Sequence, residues 1–357
     1  MEDRIRQLLS STPDLKGREI AKRLGLERKK VNSFLNKNRD KFQQDDEYCW
    51  RVINNSEVVI EFHDGWIDSY AFEQTLLPYP DLFSMQEKTI KFVIPKGCKL
   101  LLISIAKFLS LVNQLSDHGN KVVVDLSDCA NTRTYFNRTG FFDHLGNSIT
   151  VVPDRPAESW AELYKGNSDA VVEFGSVDPT QSNKTLINQL VDCFVSQSSD
   201  AFEGAASTVF GELINNIKDH SESRIEGFAA LQKYGGRRPH IQTVISDSGL
   251  GIAATLKPSI EAHHPHLFRY SGHDNYDIKI VTEVMTRGEI SRYGAGRGLG
   301  FKSSREQAMK FSARLSIRQE NFALELVYNN GQLVNTETHT RLTAIRGTHL
   351  CFDFFID

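Results

Sequence analysis

The sequence predicts an α/β protein with a small helical domain in front of it, on three observations. Residues 57–160 alternate β-rich runs with apolar helical stretches, the pattern of strands joined by crossover helices. The last third carries further strands separated by two glycine-rich segments, around 247–251 and 294–300. The first 52 residues read instead as three short helices followed by a hairpin.

Length and composition bound what such a chain can be. Its 357 residues suffice for two or three domains with buried cores. No apolar run approaches the ~20 residues of a membrane span. Met1-Glu2-Asp3-Arg4 opens without the apolar stretch of a secretory signal, so no membrane partner is expected. The five cysteines (Cys49, Cys98, Cys129, Cys193, Cys351) are scattered, with neither zinc-site spacing nor a disulfide framework. A reducing cytoplasm is the expected location. Residues 1–52 hold 13 Lys/Arg against 9 Asp/Glu, a net +4, which leaves −7 on the remainder of a chain whose total is −3. A basic head on an acidic body points to nucleic acid at the head.

In the head, Ile5, Leu8 and Leu9 mark a first helix, closed by Ser10-Ser11-Thr12-Pro13. A second runs over 18–24 and stops at Gly25, the residue type expected just past a helix end. A third, over 27–36, turns Val31, Phe34 and Leu35 to one side and Arg28, Lys29, Asn32, Ser33 and Lys37 to the other. Residues 42–52 read as a hairpin with Trp50 on its return strand. Over residues 1–55 this order resembles a winged helix-turn-helix domain, in which the third helix enters the major groove and the wing touches backbone. The resemblance implies duplex DNA as a partner, met by Arg28, Lys29, Lys30, Asn32 and Ser33. Winged helices also serve as protein-contact modules. The spacing from Lys30-Val31-Asn32 to Trp50 is similar to that of Z-form nucleic-acid binders, but Asn36 stands where those carry a tyrosine, and left-handed DNA does not follow.

Residues 56–160 are expected as an α/β middle domain: strands over 58–62, 89–94, 121–126 and 149–152, helices over 101–115 and 137–145. The run Val122-Val123-Val124-Asp125-Leu126-Ser127 followed by a helix resembles STAS domains. Residues 153–185 are polar with scattered turn residues and read as a link to a C-terminal domain over 185–357.

Residues 209–220 of that domain carry a helical pattern. At ~100° per residue, Val209, Phe210, Leu213, Ile214 and Ile217 form an apolar arc, and Glu212, Asn215, Asn216, Asp219 and His220 the opposite one. A solvated face would explain the polar arc by itself; the segments after it say more. The β-rich run 241–245 ends in Ser246-Asp247-Ser248-Gly249-Leu250-Gly251-Ile252. An Asp at a strand end can accept a hydrogen bond from a buried adenine amino group, and the glycines admit the ring without a Cβ in the way. Gly294-Ala295-Gly296-Arg297-Gly298-Leu299-Gly300-Phe301 then leads into a helix, and N–H groups at a helix start attract phosphate. Arg346-Gly347-Thr348 opens the last strand. A Walker loop is excluded because Phe301 separates Gly300 from Lys302. A Rossmann loop is excluded because these glycines do not follow the first strand of a βαβ unit.

In this order the four pieces resemble the N, G1, G2 and G3 boxes of the GHKL (Bergerat-fold, histidine-kinase-like) ATPase superfamily, a resemblance covering roughly residues 190–357. It implies an α/β sandwich that binds ATP and Mg²⁺. Carried over, Asn216 would hold the metal, Glu212 would orient or deprotonate the attacking water, and Asp219 and His220 would complete the same polar face. Asp247 would read adenine, joined by Thr348 through water, with Gly249 and Gly251 beside the ring. Gly294, Gly296, Gly298, Leu299 and Gly300 would line the phosphates. Residues 253–293 would form a mobile lid. In that lid His263, His264, His266 and His273 raise a metal reading, against which stands the lack of a Cys or carboxylate to complete the set.

A histidine kinase needs a phosphoacceptor histidine on a dimerisation helix, and neither His118 nor His144 has that context. The expected function is therefore a Mg·ATP-binding, hydrolysing GHKL ATPase acting as a nucleotide-dependent switch on a DNA-binding winged helix. Two alternatives stay open. One is a Ser/Thr protein kinase resembling the anti-sigma-factor kinases, with Thr132 or Thr134 near the acceptor position of the STAS-like segment. The other is a non-hydrolysing ATP sensor acting on an unidentified protein partner. Many relatives in the superfamily dimerise, which implies a homodimer as well.

Overall fold

The computed structural model describes residues 1–39, 41–52, 57–85, 88–178, 180–220, 223–236, 238–287 and 312–356, the side chains of 216, 218–220 and 287 excepted. The chain divides into two compact units, Met1–Val58 and Val59–Asp357.

The first unit runs α1 (Glu2–Ser11), β1 (Leu15–Lys16), α2 (Gly17–Leu24), α3 (Arg28–Lys37), β2 (Phe42–Gln44) and β3 (Cys49–Val52). β3 is central, antiparallel to both β1 and β2. Gly25 takes φ +65 at the end of α2, a left-handed conformation that costs a glycine little. Ile5, Leu9, Ile20, Val31, Leu35, Phe42 and Trp50 close one small core. The apolar spacing of the three helices thus meets the hairpin on a single side.

Around the boundary and beyond come β4 (Glu57–Glu61), β5 (Gly65–Ile67), α4 (Ser69–Leu76), β6 (Thr89–Val93), β7 (Cys98–Leu100), α5 (Leu102–Asp117), β8 (Lys121–Asp125), α6 (Ala130–Thr139) and β9 (Thr150–Val152). Four strands form a sheet in the order β4-β6-β8-β9, parallel at β6–β8 and β8–β9. β5 and β7 make a separate parallel pair. The helix expected over 137–145 lies earlier, because Gly140 at φ +85 ends α6 there.

The rest runs α7 (Trp160–Leu163), β10 (Val171–Val177), α8 (Lys184–Gln197), α9 (Glu203–His220), β11 (Gly227–Tyr234), β12 (His240–Ser246), α10 (Gly251–His263), α11 (Pro265–Phe268), α12 (Tyr276–Arg287), β13 (Ala313–Gln319), β14 (Phe322–Asn329), β15 (Gln332–Thr340) and β16 (His349–Phe355). Seven strands pair antiparallel throughout in the order β10-β11-β12-β16-β13-β14-β15. The stretch read as a link supplies β10, whose Val172, Phe174 and Val177 are buried.

Strand alternation gives this sheet two different faces. Ile241, Ile245, Leu315, Ile317, Leu324, Leu350 and Phe352 share one core with Leu190 and Phe194 of α8, Phe210 and Ile214 of α9, Ile260 of α10, and Ile280 and Val284 of α12. On the other face lie Gln242, Asp353, Arg318 and His349, and α5 covers part of it by packing on β11, β12 and β16. α5 also packs on β7 and β8 and is buried almost all round, as an apolar helix between two sheets must be.

That contact is bonded as well as packed. The first N–H groups of α5 have no capping side chain in their own segment. The Leu102 N–H donates to Tyr234 Oη and the Ile103 N–H to Gln242 Oε1, both at 2.9 Å, so the sheet satisfies donors a helix start leaves open. Glu73 of α4 sits between Lys107 of α5 (2.8 Å) and Arg318 of β13 (3.1 Å), all three buried. Burial pushes the Glu73 carboxyl up, but the two cations outweigh it and hold it at about 2. The described residues of 59–160 and 185–356 therefore share one compact unit. No described helix is long and apolar enough to cross a membrane.

Candidate functional site

β12 carries the chain to Asp247 and β16 starts one residue after Thr348. The β12–β16 register, Ser246 opposite His349, makes these two neighbours. The Asp247 N–H donates to the Thr348 carbonyl at 2.9 Å. The Asp247 side chain turns back to accept from the Gly249 N–H at 2.7 Å. Burial raises its carboxyl from the ordinary 3.8 to about 6, while hydrogen bonds from Gly249 and from the Thr348 N–H and hydroxyl act against that rise.

Gln319, at the end of β13, completes the arrangement. Its Nε2 donates to Thr348 Oγ1 at 3.1 Å, and its Oε1 accepts from the Ile252 N–H at 2.8 Å. One amide thus orients the hydroxyl and the start of α10 together. Two glycines make the crossing possible. Gly347 has φ +91, and a Cβ there would stand 2.1 Å from the Asp247 carbonyl oxygen. Gly251 has φ +78, and a Cβ there would stand 2.8 Å from Gln319 Oε1.

Glu212 lies half-buried on α9, and Asn216 follows one turn later on the same helix. The side chains of Asn216, Asp219 and His220 lie outside the described residues, as do Gly294, Gly296, Gly298, Leu299 and Gly300. The apolar arc of α9 is buried at each of its five positions, Val209, Phe210, Leu213, Ile214 and Ile217.

No family model matches the chain, and no curated protein or solved structure matches it either. The site is accordingly read from its own chemistry.

The lid expected over 253–293 is corrected for its described part. Residues 253–287 are mainly helical, and Ala253, Leu256, Ile260, Leu267, Ile280, Val281 and Val284 belong to the main core, so burial ties this stretch down. The metal reading of its histidines is not supported: among the described residues His263, His264, His266 and His273 form no ligand group. Burial, and then the neighbouring His266 and His263, lower the pKa of His264. A described group whose spacing could hold a metal ion lies elsewhere, at Glu325, Glu337 and His339 on β14 and β15. Sequence reading missed it because the strand register, not spacing, brings it together.

In the first unit Arg28, Lys29, Lys30 and Ser33 of α3 are exposed. Arg28 and Lys29 have no ion pair among the described residues, while Lys30 Nζ meets Glu27 at 3.1 Å. Asn32 differs from the expectation. It is half-buried, and its side-chain oxygen lies so close over Gly17 that a Cβ there would meet it at 2.0 Å. Asn32 braces α3 against the first turn of α2.

Proposed function

We propose that the C-terminal part of the chain is a GHKL-type ATP-binding domain, and that the protein is a Mg·ATP-dependent switch coupled to a DNA-binding winged helix. The observation that carries the reading is the pairing of the buried Asp247 carboxyl with Thr348 across β12 and β16. The two motifs are far apart in sequence and adjacent in space, as an adenine-reading pair requires.

The residues fit the ligand. An ionised carboxylate offers about four acceptor positions. The Gly249 N–H engages one, which leaves acceptor positions for an exocyclic amino group. Bound ATP supplies the phosphoryl group. Asn216 would hold Mg²⁺, Glu212 would orient a water, and the glycines at 294, 296, 298 and 300 would admit phosphate close to backbone N–H groups. Support for the winged-helix part comes from the order of α1, α2, α3 and the hairpin, with the exposed Arg28 and Lys29 on the third helix.

The test is incubation of the full chain with Mg·ATP labelled at the γ-phosphate, beside a calorimetric titration. Binding with free labelled phosphate supports the switch. Label on the protein would favour a kinase, with exposed Thr134 the acceptor, since Thr132 is buried and donates its hydroxyl to the Cys98 carbonyl. Binding with neither outcome would favour a sensor. No binding refutes the reading.

A further inference from the structure

Gln114 reaches the proposed nucleotide pocket from outside its motifs. It leaves α5 with 3% of its surface exposed. Its Nε2 donates to Ser248 Oγ and to the Arg346 carbonyl, both at 2.9 Å, and its Oε1 accepts from the Arg346 N–H at 2.8 Å. Ser248 follows Asp247 directly, and Arg346 stands two residues before Thr348. One amide therefore ties together the two turns that carry the Asp247 carboxyl and Thr348. Those turns are already pressed together at Gly347, where a Cβ would meet the Asp247 carbonyl. A movement of either turn must carry Gln114 with it or break its bonds.

The residue before it grips the other layer. Asn113 Nδ2 donates to the His144 carbonyl at 2.9 Å, and its Oδ1 accepts from the Gly146 N–H at 2.8 Å. Two consecutive residues of one buried helix thus hold the pocket turns and the loop between α6 and β9. Gln114 is buried with both ends of its amide bonded, and a satisfied buried network of this kind rigidifies what it joins.

We infer that Gln114 is a positioning residue for the nucleotide and that α5 senses pocket occupancy, passing it through Asn113 to residues 144–146. This rests on the ATP reading of the site. Binding of Mg·ATP to the full chain is measured first, so failure of that reading appears in the wild type before any variant is compared. Gln114→Met keeps the volume and removes the three bonds. It is expected to weaken ATP roughly tenfold, Ser248→Ala to weaken it less, and the double variant to be no worse than Gln114→Met alone. A lower melting temperature with unchanged ATP affinity would mean a purely structural role and overturns the inference. Hydrogen exchange on the wild type supplies a readout that needs no variant. ATP is expected to slow exchange in the last turns of α5 and at 144–146. Protection confined to the turns after β12 and before β16 overturns the sensing role, even if Gln114→Met does not fold.

Discussion

The Asp247 N–H donates to the Thr348 carbonyl at 2.9 Å, and this pairing sets Thr348 beside the buried Asp247 carboxyl. A turn and a strand start are locked as one piece, with a buried ionisable group at the joint.

That group is expected to make ATP binding and stability respond to pH in opposite senses. Its folded pKa, about 6, lies above the ordinary 3.8. Its contribution to stability is therefore fully present below 3.8 and lost as pH rises through 6, a difference of about 3 kcal/mol. Adenine requires the ionised form, so ATP affinity is expected to be flat above pH 6 and to fall about tenfold per unit below it. Titrations from pH 5 to 8 check this. Asp247→Asn should bind ATP roughly 10- to 100-fold more weakly and lack the inflection, which also subtracts the titration of the nucleotide phosphates.

Gly347→Ala should be among the most damaging single changes in the site. The new Cβ meets backbone, not a movable side chain, and the residue keeps a positive φ. A loss of about 3 kcal/mol or more is expected in urea unfolding, together with loss of ATP binding.

Breaking the Glu73–Lys107–Arg318 cluster by Glu73→Gln should cost about 3–5 kcal/mol at pH 7, because two cations stay buried with no carboxylate between them. The Glu73 carboxyl titrates near 2, below its ordinary 4.5. Its stabilisation is thus present above 4.5 and lost as pH falls toward 2. Urea midpoints at pH 7 and pH 3.5 should draw closer to the wild type's in the variant at the lower pH. An equal gap at both values would remove Glu73 as the source.

Arg28→Glu with Lys29→Glu should weaken duplex DNA binding across unrelated sequences, since phosphate contacts carry little base information. The log–log salt dependence should flatten by about 2, one unit per lost phosphate contact. Fluorescence anisotropy at several salt concentrations measures both. Asn32→Ala should instead lower the melting temperature of the first unit, because the side chain packs on Gly17.

Much of this protein could be read along the chain wherever the controlling interaction is local. The apolar arc of α9, the stop at Gly25 and the strand that leads directly into Asp247 each rest on residues within a few positions, and each stands in the structure as the pattern required. A polar residue inside an otherwise apolar helix was also a signal. Lys107 and Gln114 interrupt such a run, and on a helix buried all round they must be partnered. Their partners could not be inferred from neighbours.

The sequence by itself determined the elements whose pattern is local, such as the apolar arc of α9, and the carboxylate that follows β12 at Asp247, because periodicity and side-chain chemistry act over one or two turns. Tertiary structure alone decided that β10 joins the seven-stranded sheet, that α10–α12 are core, and that α5 lies between two sheets. It also decided that Gln114 meets residues 134 and 232 positions away. Strand register and layer packing set those distances, and neither leaves a mark on the spacing of residues along one chain.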